Sequence, residues 1–204
     1  MNRKDYKNYP ITTSLIVISV IVYLLSFILY GPTMNAYQAL HLGAYNGFYV
    51  QHTHEYYRFI TSNFIHFGIL HIVVNCYSLY GLGVFIEKVL GKTRYLIVVG
   101  IAALATNGLP YLLYLYNGFE GSSVSGGISG IIFGLIGALG ALALLYRDIF
   151  MHIWRSLLPN LIFMLLISFF VPDISLSGHV SGFIGGFIAT YILLNQKRHH
   201  DEVY

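Results

Sequence analysis

Ser129 stands in the run Gly126-Gly127-Ile128-Ser129-Gly130, with Gly134 beyond it. His179 opens another glycine-rich run, His179-Val180-Ser181-Gly182, followed by Gly185 and Gly186. A third polar group, His66, His71 and Asn75, interrupts a separate apolar stretch. A serine hydroxyl is a weak nucleophile until a base takes its proton, and neutral imidazole is the common base. Attack on a carbonyl then builds an oxyanion that needs hydrogen-bond donors. The Asn75 amide and the His71 ring can donate. The Ser129 N–H can too, because the first turn of a helix leaves its amides unpaired and its dipole favours negative charge. These residue types together are equipped for acyl transfer. No Asp or Glu lies in the same apolar stretches, so a serine–histidine dyad is the economical arrangement, with Asp173 and Glu55 read as solvated loop charges.

Each residue alone has a plainer reading. Gly-x-Ser-Gly is a weak string in a chain with 21 glycines, where a serine often serves packing. A lone His179 could bond a carbonyl at a helix end, and a lone Asn75 could be interhelical glue. Asn107, beside Gly108 and Pro110, reads as satisfying a locally broken helix. Glu87, with Lys88 and Arg94, reads as a charge cluster orienting one helix end.

The elements that must position these residues follow from composition. The 204 residues are 56% hydrophobic and only 9% charged, against about 25% charged in a soluble domain. Much of the surface must therefore face lipid. Six apolar segments fit a membrane crossing, at about 11–30, 66–86, 95–116, 125–146, 156–172 and 177–194. The fifth is the weakest, being short and carrying Pro159 and Asn160. The stretch from Ile11 to Tyr30 is too long for a signal peptide core and reads as a retained first span. Arg3, Lys4, Lys7, Lys88, Lys92, Arg94, Arg147, Arg155, Lys197 and Arg198 collect on one side and Arg58 alone on the other, which places both termini in the cytoplasm. The expected organisation is a cytoplasmic segment 1–10, a membrane domain 11–194 and a cytoplasmic tail 195–204, with no appended soluble domain. Cys76 has no intrachain partner, so no disulfide framework exists. No basic patch interleaved with aromatics suggests nucleic acid.

With that topology the second, fourth and sixth spans all run from outside to inside. His66, His71 and Asn75, then Ser129 about one turn into its helix, then His179 in a first turn, share one depth in the outer leaflet. Polar groups inside a span are costly and mark function by default. His71 and Asn75, four apart, lie on one helix face. The pairs Gly130/Gly134 and Gly182/Gly186 allow two helix backbones to approach closely, within reach of a hydroxyl for an imidazole.

The assembled pattern resembles the rhomboid intramembrane proteases. The aromatic-Arg pair Tyr57-Arg58, then His66, His71 and Asn75, matches that family's first-loop and second-helix motif. Gly127-Ile128-Ser129-Gly130 matches its Gly-x-Ser-Gly, and His179, Gly182 and Gly186 match its sixth-helix motif. Glu87 and Gly91 match its Glu-x3-Gly. The similarity covers about residues 11–194 in the family's order. It implies an all-α membrane protein with a six-transmembrane-helix bundle, of the minimal bacterial type. It implies Ser129 as nucleophile and His179 as general base and acid. His71, Asn75 and the Ser129 N–H would form the oxyanion site, supported by His66, Gly127, Gly130, Phe133, Gly182, Gly186 and Arg58. The first loop would brace the bundle laterally, and the fifth helix would be a mobile wall. The family often has Tyr four residues after the serine, stacked on the histidine; Phe133 retains stacking without the hydroxyl.

The resemblance implies a serine endopeptidase in a bacterial plasma membrane. It would cleave single-pass transmembrane proteins near the outer interface, with no metal or cofactor. A silent binder of transmembrane clients, or a histidine-lined channel or carrier, are the rivals. The former would have lost Ser129 or His179. The latter would need ionisable groups in the inner halves of the helices, which are nearly free of them. A zinc protease is disfavoured because no His-Glu-x-x-His is present. Oligomeric state is not legible in the residues.

Overall fold

The computed structural model describes residues 7–118, 123–170 and 175–201. Arg3 and Lys4, used above for orientation, and Asp173, read as a loop charge, lie outside these residues, as do the side chains of Lys197 and Arg198. Among the described residues the long elements are all helices. They are α1 (Pro10–Tyr30), α5 (Ile69–Leu90), α6 (Lys92–Asn117), α7 (Ser129–Leu145), α8 (Arg147–Phe170) and α9 (Leu176–Asp201). Between α1 and α5 lie three short helices, α2 (Ala36–His41), α3 (Gly47–Thr53) and α4 (Arg58–Thr61), and the 3-10 turn Ser62–Phe64.

Five of the long helices, all but α7, are long and apolar enough to cross a membrane. They turn large apolar side chains outward, such as Ile28, Leu70 and Phe163, 62–78% exposed, where only lipid can cover them. α7 is different. It has 17 residues, and every one from Gly130 to Ala143 is buried. A helix that is apolar all round has no face for water and belongs in the middle; α6, α8, α9 and α5 surround it.

Glycines set how closely α7 meets its neighbours. A Cβ on Gly182 would fall on the Gly130 carbonyl, and one on Gly186 on the Gly134 carbonyl. On the other side a Cβ at Gly130 would fall on the Thr106 side chain, and one at Gly134 on Ala102. The α7–α9 seam is thus backbone against backbone, which only residues without a side chain permit.

Five expectations change. The fifth span begins well before residue 156: α8 starts at Arg147 and runs unbroken through Pro159. The segment holding Arg147, Asp148, His152 and Arg155 is too polar for a hydropathy reading but remains helical, and a proline inside a span is tolerated. α6 likewise passes through Pro110 without a break. Asn107 therefore repairs nothing. Its Nδ2 donates to Phe59 O at 3.2 Å and to Ser62 Oγ at 2.8 Å, tying the first loop to the third span.

Glu87, expected in a charge cluster with Lys88 and Arg94, is buried and bonded to another helix. Its carboxylate accepts from Ile11 N at 3.1 Å and Thr12 N at 2.8 Å. It satisfies first-turn amides of α1 that no intrahelical acceptor reaches. Thr12 Oγ1 then donates to Tyr95 Oη at 2.9 Å, so α1, α5 and α6 are clamped at one end. Finally, Ser129 is the first residue of α7, not one turn inside it, because Gly126 and Gly127 stay outside the helix.

The loop between α1 and α5 is built around Arg58, only 3% exposed. Its Nη1 donates to Leu40 O at 2.6 Å and Ala44 O at 2.9 Å, and its Nε to Glu55 Oε2 at 2.7 Å. The guanidinium lies over the Tyr49 ring at 4.5 Å and the Tyr57 ring at 5.5 Å. Glu55 is thus an ion-pair partner and not a free loop charge. The Tyr57 hydroxyl, donating at 2.6 Å, and then Arg58 hold its carboxyl below the ordinary carboxylate range.

Candidate active site

The segment 123–128 must deliver Ser129 in a fixed pose, and the first loop holds it from one side. Tyr45 and Ser125 exchange backbone hydrogen bonds at 2.9 and 2.8 Å. Asn46 Nδ2 donates to Ser123 O at 3.0 Å, and Gly127 N to Ser62 O at 2.9 Å. His66 completes the hold. Its Nδ1 faces Phe64 O at 3.1 Å, a carbonyl that can only accept, so Nδ1 carries the proton. Its bare Nε2 then accepts from Ile128 N at 3.5 Å, just before α7 begins.

Ser129 Oγ and His179 Nε2 are 2.9 Å apart, one from the first residue of α7 and one from the first turn of α9. His179 is 7% exposed; Ser129 is half-buried and so remains reachable. Phe133, one turn beyond Ser129, lies face to face with the imidazole, centroids 4.1 Å apart and planes 10° from parallel. The ring is thereby confined to one plane. A third contact comes from α8, which spacing had not connected to the site. Ser168 Oγ is 2.8 Å from His179 Nδ1 and 2.7 Å from the Met164 carbonyl oxygen.

His71 and Asn75 reach Gly127, two residues before Ser129, from α5. Gly127 has φ +120°, a region favouring glycine. A Cβ there would sit 2.8 Å from His71 Nε2 and 3.5 Å from Asn75 Nδ2. The missing side chain lets the His71 ring come up against the Gly127 backbone, with the Asn75 amide in contact range beside it. Asn75 Nδ2 is buried and has no hydrogen-bond partner among the described residues. Such an orphan donor costs about 1–3 kcal/mol, a cost that folding alone does not explain. The His66 and His71 rings meet edge to face at 5.0 Å, so His66 also braces His71. The distant members of the expected set act through structure: Arg58 organises the loop, and Gly130, Gly182 and Gly186 allow α7 and α9 to meet. Among the described residues no three His, Cys, Asp or Glu side chains group as metal ligands.

Long apolar helices around a buried, glycine-seamed helix, with a polar cluster at one end, define a multi-pass helical membrane protein carrying a serine–histidine contact. Residues 53–196 match the model of the Rhomboid domain, and the chain belongs to the rhomboid family. It is 31% identical over 132 residues to the rhomboid protease GluP of Bacillus subtilis (63% of this chain, 24% of that one). It is 30% identical over 178 residues to RHOMBOID-like protein 1 of Arabidopsis thaliana (81% and 41%). It is 26% identical over 196 residues to the putative rhomboid protease YdcA of Bacillus subtilis (93% and 91%). The chain thus spans less than half the length of the first two relatives and most of the third.

Proposed function

We propose that the chain is an intramembrane serine endopeptidase that cleaves single-pass transmembrane proteins near the outer membrane interface. The observation that carries this reading is the 2.9 Å contact between Ser129 Oγ and His179 Nε2 beside the partnerless amide of Asn75. Family membership supports intramembrane proteolysis but does not by itself establish activity. One relative, 31% identical over 114 residues, is named inactive RHOMBOID-like protein 8 of Arabidopsis thaliana.

In this reading Ser129 Oγ attacks the scissile carbonyl carbon and its proton passes to His179 Nε2. The resulting oxyanion sits beside Gly127, taking hydrogen bonds from Asn75 Nδ2, His71 and the Ser129 N–H. His179 returns the proton to the leaving amine, leaving an acyl-serine. Water, deprotonated by the same nitrogen, hydrolyses the ester and frees Ser129. No metal or cofactor takes part. A helical segment cannot present a free carbonyl, because its carbonyls are hydrogen-bonded. Substrate segments with helix-breaking or small residues near the interface are therefore preferred.

The reading includes six spans, α7 being the short central one, with both termini cytoplasmic and the dyad toward the outer face of a bacterial plasma membrane. Only 6% of the apolar stretch of α8 is buried, against 28–44% in the other four long apolar helices. That supports α8 as the wall past which a substrate reaches Ser129. The test is cleavage of labelled single-pass helices by the reconstituted protein, with cut sites mapped by mass spectrometry. Ser129→Ala and His179→Ala should each abolish cleavage with the fold retained; a folded Ser129→Ala variant that still cuts would overturn the assignment.

A further inference from the structure

We propose that Ser168 is a positioning residue for His179: its hydroxyl holds the proton of the imidazole on Nδ1 and so leaves Nε2 bare to accept from Ser129. This rests on the dyad reading above and deepens it.

The argument is a count of protons. Ser168 has one hydroxyl proton and two polar neighbours, the Met164 carbonyl oxygen at 2.7 Å and His179 Nδ1 at 2.8 Å. A carbonyl oxygen can only accept. At 2.7 Å, the usual separation for an O–H···O bond, the proton belongs between Ser168 and Met164. Ser168 Oγ is then an acceptor toward the ring, and Nδ1 must be the nitrogen that carries hydrogen. In a neutral imidazole the other nitrogen is bare. The whole row runs in one direction: Ser129 Oγ–H to Nε2, Nδ1–H to Ser168 Oγ, Ser168 Oγ–H to Met164 O. Reversing it would aim Ser168 at Nδ1 and leave two oxygens 2.7 Å apart with no proton between them. It would also place a hydrogen on Nε2, where no proton could be taken from Ser129.

Two features make this an arrangement and not merely a satisfied serine. A serine inside a helix is fully served by bonding back to the carbonyl four residues earlier, so Ser168 does not need His179. The reverse is not so. His179 is buried, its faces are limited by Phe133, and Ser168 is the side chain that the described residues place on Nδ1. With the acyl group forming, the ring becomes an imidazolium, and the Nδ1–H···O bond becomes charge-assisted and stronger. Ser168 therefore acts more in the transition state than in the resting enzyme.

The test uses Ser168→Thr and Ser168→Val in the full-length protein. The two side chains have nearly the same shape, differ by a hydroxyl, and a helical Thr can bond back to the same carbonyl. Ser168→Val should lower kcat on a reporter helix by about 10- to 100-fold, the weight of one charge-assisted hydrogen bond, with KM little changed. Ser168→Thr should restore most of it. Labelling of Ser129 by a small soluble fluorophosphonate, which does not depend on docking a substrate helix, should slow in parallel. Nitrogen NMR of labelled His179 should show hydrogen on Nδ1 in the parent and in Ser168→Thr, and a shift toward Nε2 in Ser168→Val. Equal rates in Thr and Val, slowed cleavage with unchanged labelling, or hydrogen on Nε2 in the parent would each overturn the proposal. These outcomes are separate from failure of the dyad itself, which a folded, active Ser129→Ala variant would reveal.

Discussion

Gly127→Ala places one methyl group against the His71 ring. The magnitude follows from three distances and an angle. The new Cβ would lie 2.8 Å from His71 Nε2, 2.9 Å from His71 Cε1 and 3.5 Å from Asn75 Nδ2. An oxyanion accepting from these nitrogens needs each about 2.7–3.1 Å away, and a Cβ this close forces the His71 ring to move. Loss of one such donor costs about 10²–10³-fold in kcat, and the His71 ring is the donor that must move, since 3.5 Å from Asn75 Nδ2 is ordinary contact. A separate cost is the backbone: at φ +120° a side chain adds about 1–3 kcal/mol of strain. Gly43→Ala isolates that second cost. Gly43 has φ +102° and a Cβ would meet Thr61 Oγ1 at 2.9 Å, but it lies in the first loop and touches no member of the dyad. Both variants should melt at lower temperature by a similar amount. Per folded molecule, Gly43→Ala should cleave a reporter helix within a few-fold of the parent, whereas Gly127→Ala should lose at least about 10²-fold. Cleavage by folded Gly127→Ala at the parental rate would refute the idea that His71, held against Gly127, serves the reacting oxygen.

Further consequences concern activity and stability together. Asn75→Ala should cost about 10²-fold in kcat yet leave the melting temperature unchanged or raised, since it removes a buried donor that has no partner; thermal unfolding beside kinetics checks both. Gly186→Ala sets a methyl on the Gly134 carbonyl and should cost more than the roughly 1–3 kcal/mol of ordinary overpacking, seen as loss of folded protein in detergent. The ion pair between Glu55 and Arg58 gives the first loop a pH dependence. Because the folded carboxyl titrates below its ordinary value of 4.5, its contribution is complete above that value and is lost as pH falls through the lower, folded one. Proteolysis within residues 31–65 should therefore quicken at acid pH, and a Glu55→Gln variant should be faster at neutral pH and less responsive to acid.

The residues that could be read as site members from the chain alone were those that broke a pattern. His71, Asn75, Ser129 and His179 are polar where lipid-facing composition allows little polarity, and the structure gathers them at adjoining ends of α5, α7 and α9. The glycines at 130, 134, 182 and 186 were legible for the same reason, since their spacing has no purpose in a helix except close approach. Ser168 could not be found this way. It is a serine in an apolar helix, with no glycine beside it and only a back-bond to the Met164 carbonyl nearby in sequence, and its meaning appears only once α8 lies against α9. Glu87 and Asn107 were misread because their partners, the amides of residues 11 and 12 and the first-loop atoms at Phe59 and Ser62, are 75 and 45 or more residues away. The extent of α8 was missed because hydropathy marks where lipid can cover a helix and not where the backbone bonds end.

The most direct measurement of the central claim is the site of covalent capture. The reconstituted protein is treated with a fluorophosphonate, digested and read by mass spectrometry, in the parent and in folded His179→Ala. The account predicts an adduct on Ser129 in the parent and none, or a trace, when the imidazole is removed. No adduct on Ser129, or an equal yield without His179, would contradict it.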